Sequence, residues 1–233
     1  MRNLSFIILI IIIHINTFNC ICQTIQEGNH LIQNYDHKNY DTPENQTWAI
    51  VQDQRGVMFF GNNSGVLEYD GNYWHLIQLT NKSTVRSLAL DTITNIIYVG
   101  GVGEFGYLEP DSAGVLTYVS LVDKLPKTYQ NFEDVWQVTV LQDRVIFRTN
   151  FELFILKQNK FKVIVSDNRF HRSFYVNNTF YIREWGKGLF YLKGDKLEFI
   201  GQSGIFENER IYVMLPYEHK KILIATRTKG IYI

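Results

Sequence analysis

Five residues stand at matching points along the chain, each at or just ahead of an apolar run of strand type: Trp48, Arg86, Trp136, Arg172 and Tyr212. Aromatic rings and guanidinium groups gathered in one place suit a sugar or an anionic oligosaccharide. Flat rings stack on aromatic faces, and Arg offers forked hydrogen bonds to carboxylate or sulfate. Asn62, Asn63, Glu104, Glu184 and Arg227 fall in the turns that follow the next strand and would open on the same side. A plainer role suits the same positions: Trp and Tyr fill wedges between packed sheets, and Arg stems cover them.

Other chemical patterns lead nowhere. The run from Gly101 to Gly106 spells GxGxxG, but a dinucleotide site needs a helix next, and a strand and turn follow through Pro110 and Gly114. A glycine-permitted turn between strands accounts for it. Asn63-Ser64-Gly65 lacks the glycine spacing of a nucleophile elbow. Past residue 22 the histidines are His30, His37, His75, His171 and His219, with no i, i+4 pair to suggest a metal site. Asp53, Asp70 and Asp91 lie in expected turns, where a carboxylate caps backbone N–H groups rather than moves protons. Asn-x-Ser/Thr triplets begin at Asn45, Asn62, Asn81 and Asn177; without a glycosylating host they are polar surface. No catalytic residue, metal ligand or cofactor is assigned.

The 233 residues carry 23 Lys+Arg against 23 Asp+Glu, and 45% are apolar. That composition supports a sizeable core and argues against nucleic acid as a partner, since no basic run marks an electrostatic footprint. Residues 1–22 have a basic start, an apolar stretch over 6–13 and small residues at Cys20 and Cys22, the grammar of a secretory signal cut after Cys22. A membrane anchor over 4–22 is the alternative, although a span needs about 20 predominantly apolar residues. Both cysteines lie in this segment. The chain beyond it has no disulfide and no thiolate chemistry, and the expected location is periplasmic or secreted.

What would position the candidate residues is a repeat. First strands are expected at 49–53, 87–91, 137–141, 173–177 and 213–217, and second strands at 57–60, 96–99, 145–147, 180–182 and 222–225. Third strands begin near Val66, Phe105, Leu153, Leu189 and Ile231, spaced by 39, 48, 36 and 42 residues. Fourth strands fit 73–77, 117–121, 161–165 and 197–200. Four antiparallel strands per unit of about 40 residues describe the blades of a β-propeller. A β-sandwich would alternate apolar and polar residues more cleanly. The expected organisation is a signal at 1–22, an N-terminal segment at 23–44, and blades at 45–83, 84–134, 135–168, 169–210 and 211–233, the last incomplete. Either residues 29–35 supply a closing outer strand to a five-bladed ring, or the chain is the front part of a larger propeller. In the second case the bare final edge makes the isolated chain weak or prone to aggregate.

The stretch NQTWAIVQDQRGVMFFGNNSGVLEYDGNYW at 45–74 resembles a blade of the bacterial two-component regulator propeller family, as do TVRSLALD at 84–91 and YVGGVGEFGYLEP at 98–110. Blocks three to five follow only the general pattern. The resemblance implies an exported sensor region, usually followed by more blades, a triple-tyrosine sandwich, a membrane helix and a histidine kinase or DNA-binding output. It implies a non-catalytic ligand-sensing module, its ligand unidentified and of oligosaccharide type on the residues above. Its partners would be downstream signalling domains or another chain, with membrane attachment only through those later segments. The alternatives are an exported propeller hydrolase or lyase acting on glycans, or a glycan- or protein-binding propeller without a signalling role. An enzyme would require convergent carboxylates, for which Glu104 and Glu184 are the candidates.

Overall fold

Short runs rich in Val, Ile, Phe and Tyr, broken by Asp-, Asn- and Gly-containing turns, form nineteen strands in a computed structural model that describes residues 32–233. Blade 1 contains β1 (Thr47–Gln52), β2 (Met58–Asn62), β3 (Gly65–Tyr69) and β4 (Trp74–Ile77). Blade 2 contains β5 (Val85–Leu90), β6 (Ile97–Gly101), β7 (Phe105–Pro110) and β8 (Leu116–Ser120). Blade 3 contains β9 (Gln137–Val140), β10 (Val145–Arg148), β11 (Glu152–Lys157) and β12 (Lys160–Val165). Blade 4 contains β13 (Phe170–Val176), β14 (Thr179–Glu184), β15 (Gly188–Lys193) and β16 (Lys196–Phe199). Blade 5 contains β17 (Ile211–Pro216), β18 (Ile222–Thr226) and β19 (Ile231–Tyr232). Every pairing is antiparallel between sequence neighbours, so each sheet is a meander of four strands, or three in blade 5. The first strands β1, β5, β9, β13 and β17 lie side by side in succession, and the sheets fan outward from them as propeller blades.

The turns are held by the carboxylates that the sequence places there. Asp53 Oδ1 accepts from the N–H groups of Arg55 and Val57 at 2.8 and 3.0 Å. Asp70 does the same for Asn72 and Tyr73 at 2.8 and 2.7 Å, and those two N–H groups hold its carboxyl below the usual carboxylate range. Asp91 accepts from Ile93 N–H at 2.9 Å.

Between each pair of consecutive blades lies one apolar layer. Phe59, Val66 and Ile77 of blade 1 meet Leu88, Val99 and Leu108 of blade 2. Phe105 of blade 2 stacks on Phe147 and Phe154 of blade 3, with ring centroids 4.4 and 5.2 Å apart. Successive residues of one strand serve opposite layers: Val145 and Phe147 face blade 2, and Ile146 faces blade 4. That division is why β10 is buried along its whole length and is apolar up to its last residue, Arg148. Leu189, Phe206 and Met214 are among the buried residues joining blade 4 to blade 5.

Residues 32–46 contain turns and no strand. Tyr35 and Tyr40 pack their rings on Trp74, at 5.4 and 5.2 Å, which in turn stacks on Tyr69 at 4.3 Å. Phe60 joins them at 5.5 Å, so this cluster covers the side of blade 1 opposite Phe59. The signal segment, its cut site, His30 and the start of the suggested closing strand fall outside the described residues. No described helix is long and apolar enough to cross a membrane.

Candidate functional site

The first strands of blades 1, 2, 4 and 5 each slip register near their beginning, between Thr47 and Ala49, Val85 and Ser87, Phe170 and Ser173, and Ile211 and Val213. A bulge inserts an extra residue that the ladder does not pair and re-aims its side chain. The residues at these slips are Trp48, Arg86, His171 with Arg172, and Tyr212. Trp136 stands at the matching place immediately before β9. A local irregularity of the inner strand therefore displays four of the five sequence candidates, and Trp136 occupies the corresponding point of blade 3 without one.

Three of them meet. The Arg86 guanidinium lies over the Trp48 ring at 4.0 Å and over the Trp136 ring at 5.1 Å. The two indoles are 6.2 Å apart, edge to face. Arg86 Nε donates to Asp134 Oδ1 at 2.6 Å, and Trp48 Nε1 donates to Asn63 Oδ1 at 2.8 Å. Asn63 in turn donates to Glu44 at 3.3 Å. Trp48 and Trp136 keep 40% and 36% of their surface exposed, so this aromatic and cationic platform faces solvent. Arg172 and Tyr212 form a second pair, with the guanidinium 5.4 Å from the ring and bonded to the Tyr212 carbonyl at 3.4 Å.

The turn candidates divide. Asn63 belongs to the platform. Asn62 is fully buried, donating to the Glu44 carbonyl at 3.1 Å and accepting from Ser64 N–H at 2.9 Å. Glu104 is buried and accepts from Ser120 Oγ at 2.7 Å and from Phe105 N–H and Tyr118 Oη at 3.1 Å each. Burial and that carboxylate hold the Tyr118 hydroxyl far above its ordinary range. Glu184 is buried, accepts from Ser166 Oγ and pairs with Lys187 Nζ at 2.7 Å. These three side chains fasten turns instead of presenting themselves to a ligand, because a buried carboxylate or amide must spend its acceptors on nearby donors. Arg227 is exposed, and its backbone N–H donates to the Arg210 carbonyl at 2.9 Å.

Beside the platform is a cavity of about 650 Å³. Blade 3 contributes Trp136 and Asn150; blade 4 contributes His171, Arg183 and Trp185 among others; Arg210 comes from the start of blade 5. Arg183 has no exposed surface, lies 4.2 Å from the Trp185 ring, and donates from Nε to the Phe206 carbonyl at 3.0 Å. Arg148, 6% exposed, donates from Nη1 to the Thr149 carbonyl at 3.2 Å. Burial lowers both guanidinium pKa values to about 10, with Arg172 adding to the effect on Arg148 and Arg210 to that on Arg183. Both stay charged at neutral pH. Desolvation, reinforced by Arg183, Arg148, Arg210 and Arg172, lowers His171 to about 4, so its imidazole is neutral there.

Arg148, Arg169, Arg183, Arg210 and Trp185 carry no expectation from the sequence, and His171 figures there only as a histidine without an i, i+4 partner. One signal was available. Ala49 pairs with Gly61, Ser87 with Gly100 and Val213 with Ala225, whereas the matching pair of blade 3 is Gln137 with Arg148. In blades 1 and 2 the position has no room: a Cβ on Gly61 would stand 2.8 Å from Val85 Cγ1, and one on Gly100 2.5 Å from Ser87 Oγ. An Arg at the end of an apolar second strand, Arg148 in blade 3 and Arg183 in blade 4, where blades 1, 2 and 5 carry Gly or Ala, is an anomaly visible without coordinates.

No family model matches the chain, and no curated protein matches it. Solved structures do. The extracellular domain of a protein assigned as a one-component system in B. thetaiotaomicron matches 78% of this chain at 17% identity with a TM-score of 0.53, over 25% of its own length. The WD40 propeller domain of Doa1 matches 77% at 13% identity with a TM-score of 0.57, over 62% of its length. PorZ, a surface component of the type-IX secretion system of Porphyromonas gingivalis, matches 86% at 11% identity with a TM-score of 0.53, over 33% of its length. The chain thus spans less than two thirds of each. The likeness is one of fold, and the fold is a β-propeller.

Proposed function

We propose that the chain is an exported, non-catalytic ligand-sensing propeller module of the two-component regulator propeller family, binding a saccharide on the face bearing Trp48, Arg86 and Trp136. The observation that carries this reading is the platform itself: two solvent-exposed indoles bracketing a guanidinium, Trp48 and Arg86 set in place by bulges on successive inner strands and Trp136 at the head of the third. The blade sequences at 45–74 and 84–110 support the family, and the fold shared with an extracellular one-component domain supports an exported sensor. Sensing requires that the ligand bind two arrangements of the protein with different affinity, the difference being passed to signalling domains or a partner chain. Glu104 and Glu184, the carboxylates an enzyme reading calls on, sit in different blades and are committed to turn hydrogen bonds.

The test is calorimetry of the full chain against neutral, carboxylated and sulfated oligosaccharides of plant and algal origin, with a reducing-end assay run in parallel. The expected result is binding without cleavage, weakened at least tenfold by Trp48→Ala or Trp136→Ala. Release of new reducing ends would overturn the reading. So would affinity unchanged in both variants while their circular dichroism matches the parent.

A further inference from the structure

We propose that the cavity joining blades 3, 4 and 5 is a site for the carboxylate or sulfate group of an acidic saccharide, with Arg169, Arg183 and Arg210 of its lining supplying the charge, Arg148 adding to it from outside the lining, and Trp136 and Trp185 forming the flat walls. The proposal deepens the saccharide-binding reading and rests on it.

Charge comes first. Arg148, Arg169, Arg172, Arg183 and Arg210 converge on one region, and among the described residues none of the five makes an ion pair. The neighbouring carboxylates have other partners. Glu133 accepts from Asn150 Nδ2 at 3.2 Å, and Asp134 holds Arg86. Glu184 holds Lys187, and Glu209 accepts from Thr228 Oγ1 and from the N–H groups of Arg210 and Thr228. A structural arginine looks different: Arg144 reaches Asp143 at 2.8 Å, Asp195 at 2.9 Å and the Gly194 carbonyl at 2.7 Å.

Unpartnered nitrogen atoms come second. Arg148 Nε, Arg183 Nη1 and His171 Nδ1 are buried nitrogen atoms with no hydrogen-bond partner among the described residues. Leaving such groups unmatched destabilises a fold, and a buried charge without a counter-charge does so more. Groups of this kind persist where function requires them, because sites that bind ligands give up stability for it. An oxyanion supplies the missing counter-charge and a partner for Arg183 Nη1, whose Nε and Nη2 already serve the Phe206 and Glu207 carbonyls, while the exposed Arg210 can offer it two parallel N–H groups. The cavity, about 650 Å³, is within the ordinary range for a bound small molecule. Its indole walls accept a sugar ring.

The experiment uses the full chain and three probes: digalacturonate, a sulfated galactose disaccharide and neutral digalactose. Binding is read by tryptophan fluorescence, to which Trp136 and Trp185 contribute, and by the shift in melting temperature. One or both acidic probes should bind at least tenfold more tightly than digalactose, and comparison of the two identifies carboxylate or sulfate as the group preferred. Arg210→Ala, an exposed change, should weaken that binding at least fivefold. Arg148→Met should weaken it too, while raising the melting temperature of the unliganded chain by roughly 2–5 °C, because it removes an unpaired buried charge. Equal affinity for digalactose would overturn the proposal and leave the wider saccharide reading standing. Failure of all three probes to bind would overturn it as well, and the broader panel then decides the wider reading. A lower melting temperature or loss of folding in Arg148→Met would assign that arginine to the fold; unchanged acidic-probe affinity in Arg210→Ala would then reject the site.

Discussion

Replacing Arg86 with Ala removes a group that three others lean on. Its guanidinium sits 4.0 Å from Trp48 and 5.1 Å from Trp136. At partly exposed sites such contacts contribute about 0.5–1 kcal/mol each. The bond to Asp134 is short, 2.6 Å, and its two side chains are 19% and 21% exposed. A pair in that intermediate setting contributes about 1–2 kcal/mol, above the surface range and below that of buried charged hydrogen bonds. The total is about 2–4 kcal/mol, or a fall in melting temperature of roughly 4–16 °C for a chain of this size. Arg86→Lys keeps the charge but loses the planar stack and should lose about half as much. Thermal and urea unfolding of Arg86→Ala, Trp48→Phe and the double variant close a cycle in which the coupling is expected at about 0.5 kcal/mol or more. If Arg86→Ala melts within a degree of the parent, or the cycle shows no coupling, the platform is a chance proximity and the argument built on it fails.

Other outcomes follow from the same geometry. Gln137 both donates to the Ser173 carbonyl at 2.9 Å and accepts its N–H at 3.1 Å, stitching blade 3 to blade 4; Gln137→Ala should cost about 1–3 kcal/mol in urea unfolding. Phe147 is fully buried against Phe105, and Phe147→Ala should cost about 3–5 kcal/mol by the same measurement. Gly100→Ala puts a Cβ 2.6 Å from Val135 Cγ1 and 2.5 Å from Ser87 Oγ, and should lower stability by about 1–3 kcal/mol through overpacking between blades 2 and 3. His171 has a folded pKa of about 4 against an ordinary 6.5, so the unfolded chain takes up its proton first as pH falls. Stability is unaffected by this group above pH 6.5 and declines from there toward pH 4, by at most about 1.4 kcal/mol per pH unit. Unfolding measured across that range should show the decline in the parent and a shallower one in His171→Gln.

The strand pattern of this protein was legible because its causes are local. Third strands expected near Val66, Phe105, Leu153, Leu189 and Ile231 lie beside the observed starts at Gly65, Phe105, Glu152, Gly188 and Ile231. Apolar runs and turn carboxylates act within a few residues, and Asp53 and Asp70 close their turns through N–H groups two to four positions away. The repeat also carried the positions of Trp48, Arg86, Trp136, Arg172 and Tyr212 to equivalent points. What the residues alone could not show was which candidates meet, since Asp134 lies 48 positions beyond the Arg86 it holds. Nor did they show that Glu104 and Glu184 would turn inward: the hydroxyl that claims Glu104 is on Ser120 of another strand of its blade, and the one that claims Glu184 is on Ser166, which follows the last strand of the preceding blade. The arginine-lined cavity belongs wholly to the tertiary structure. Whether a guanidinium is solvated, paired or buried without a counter-charge depends on groups from three blades at once, and a one-dimensional pattern carries charge but not the dielectric around it.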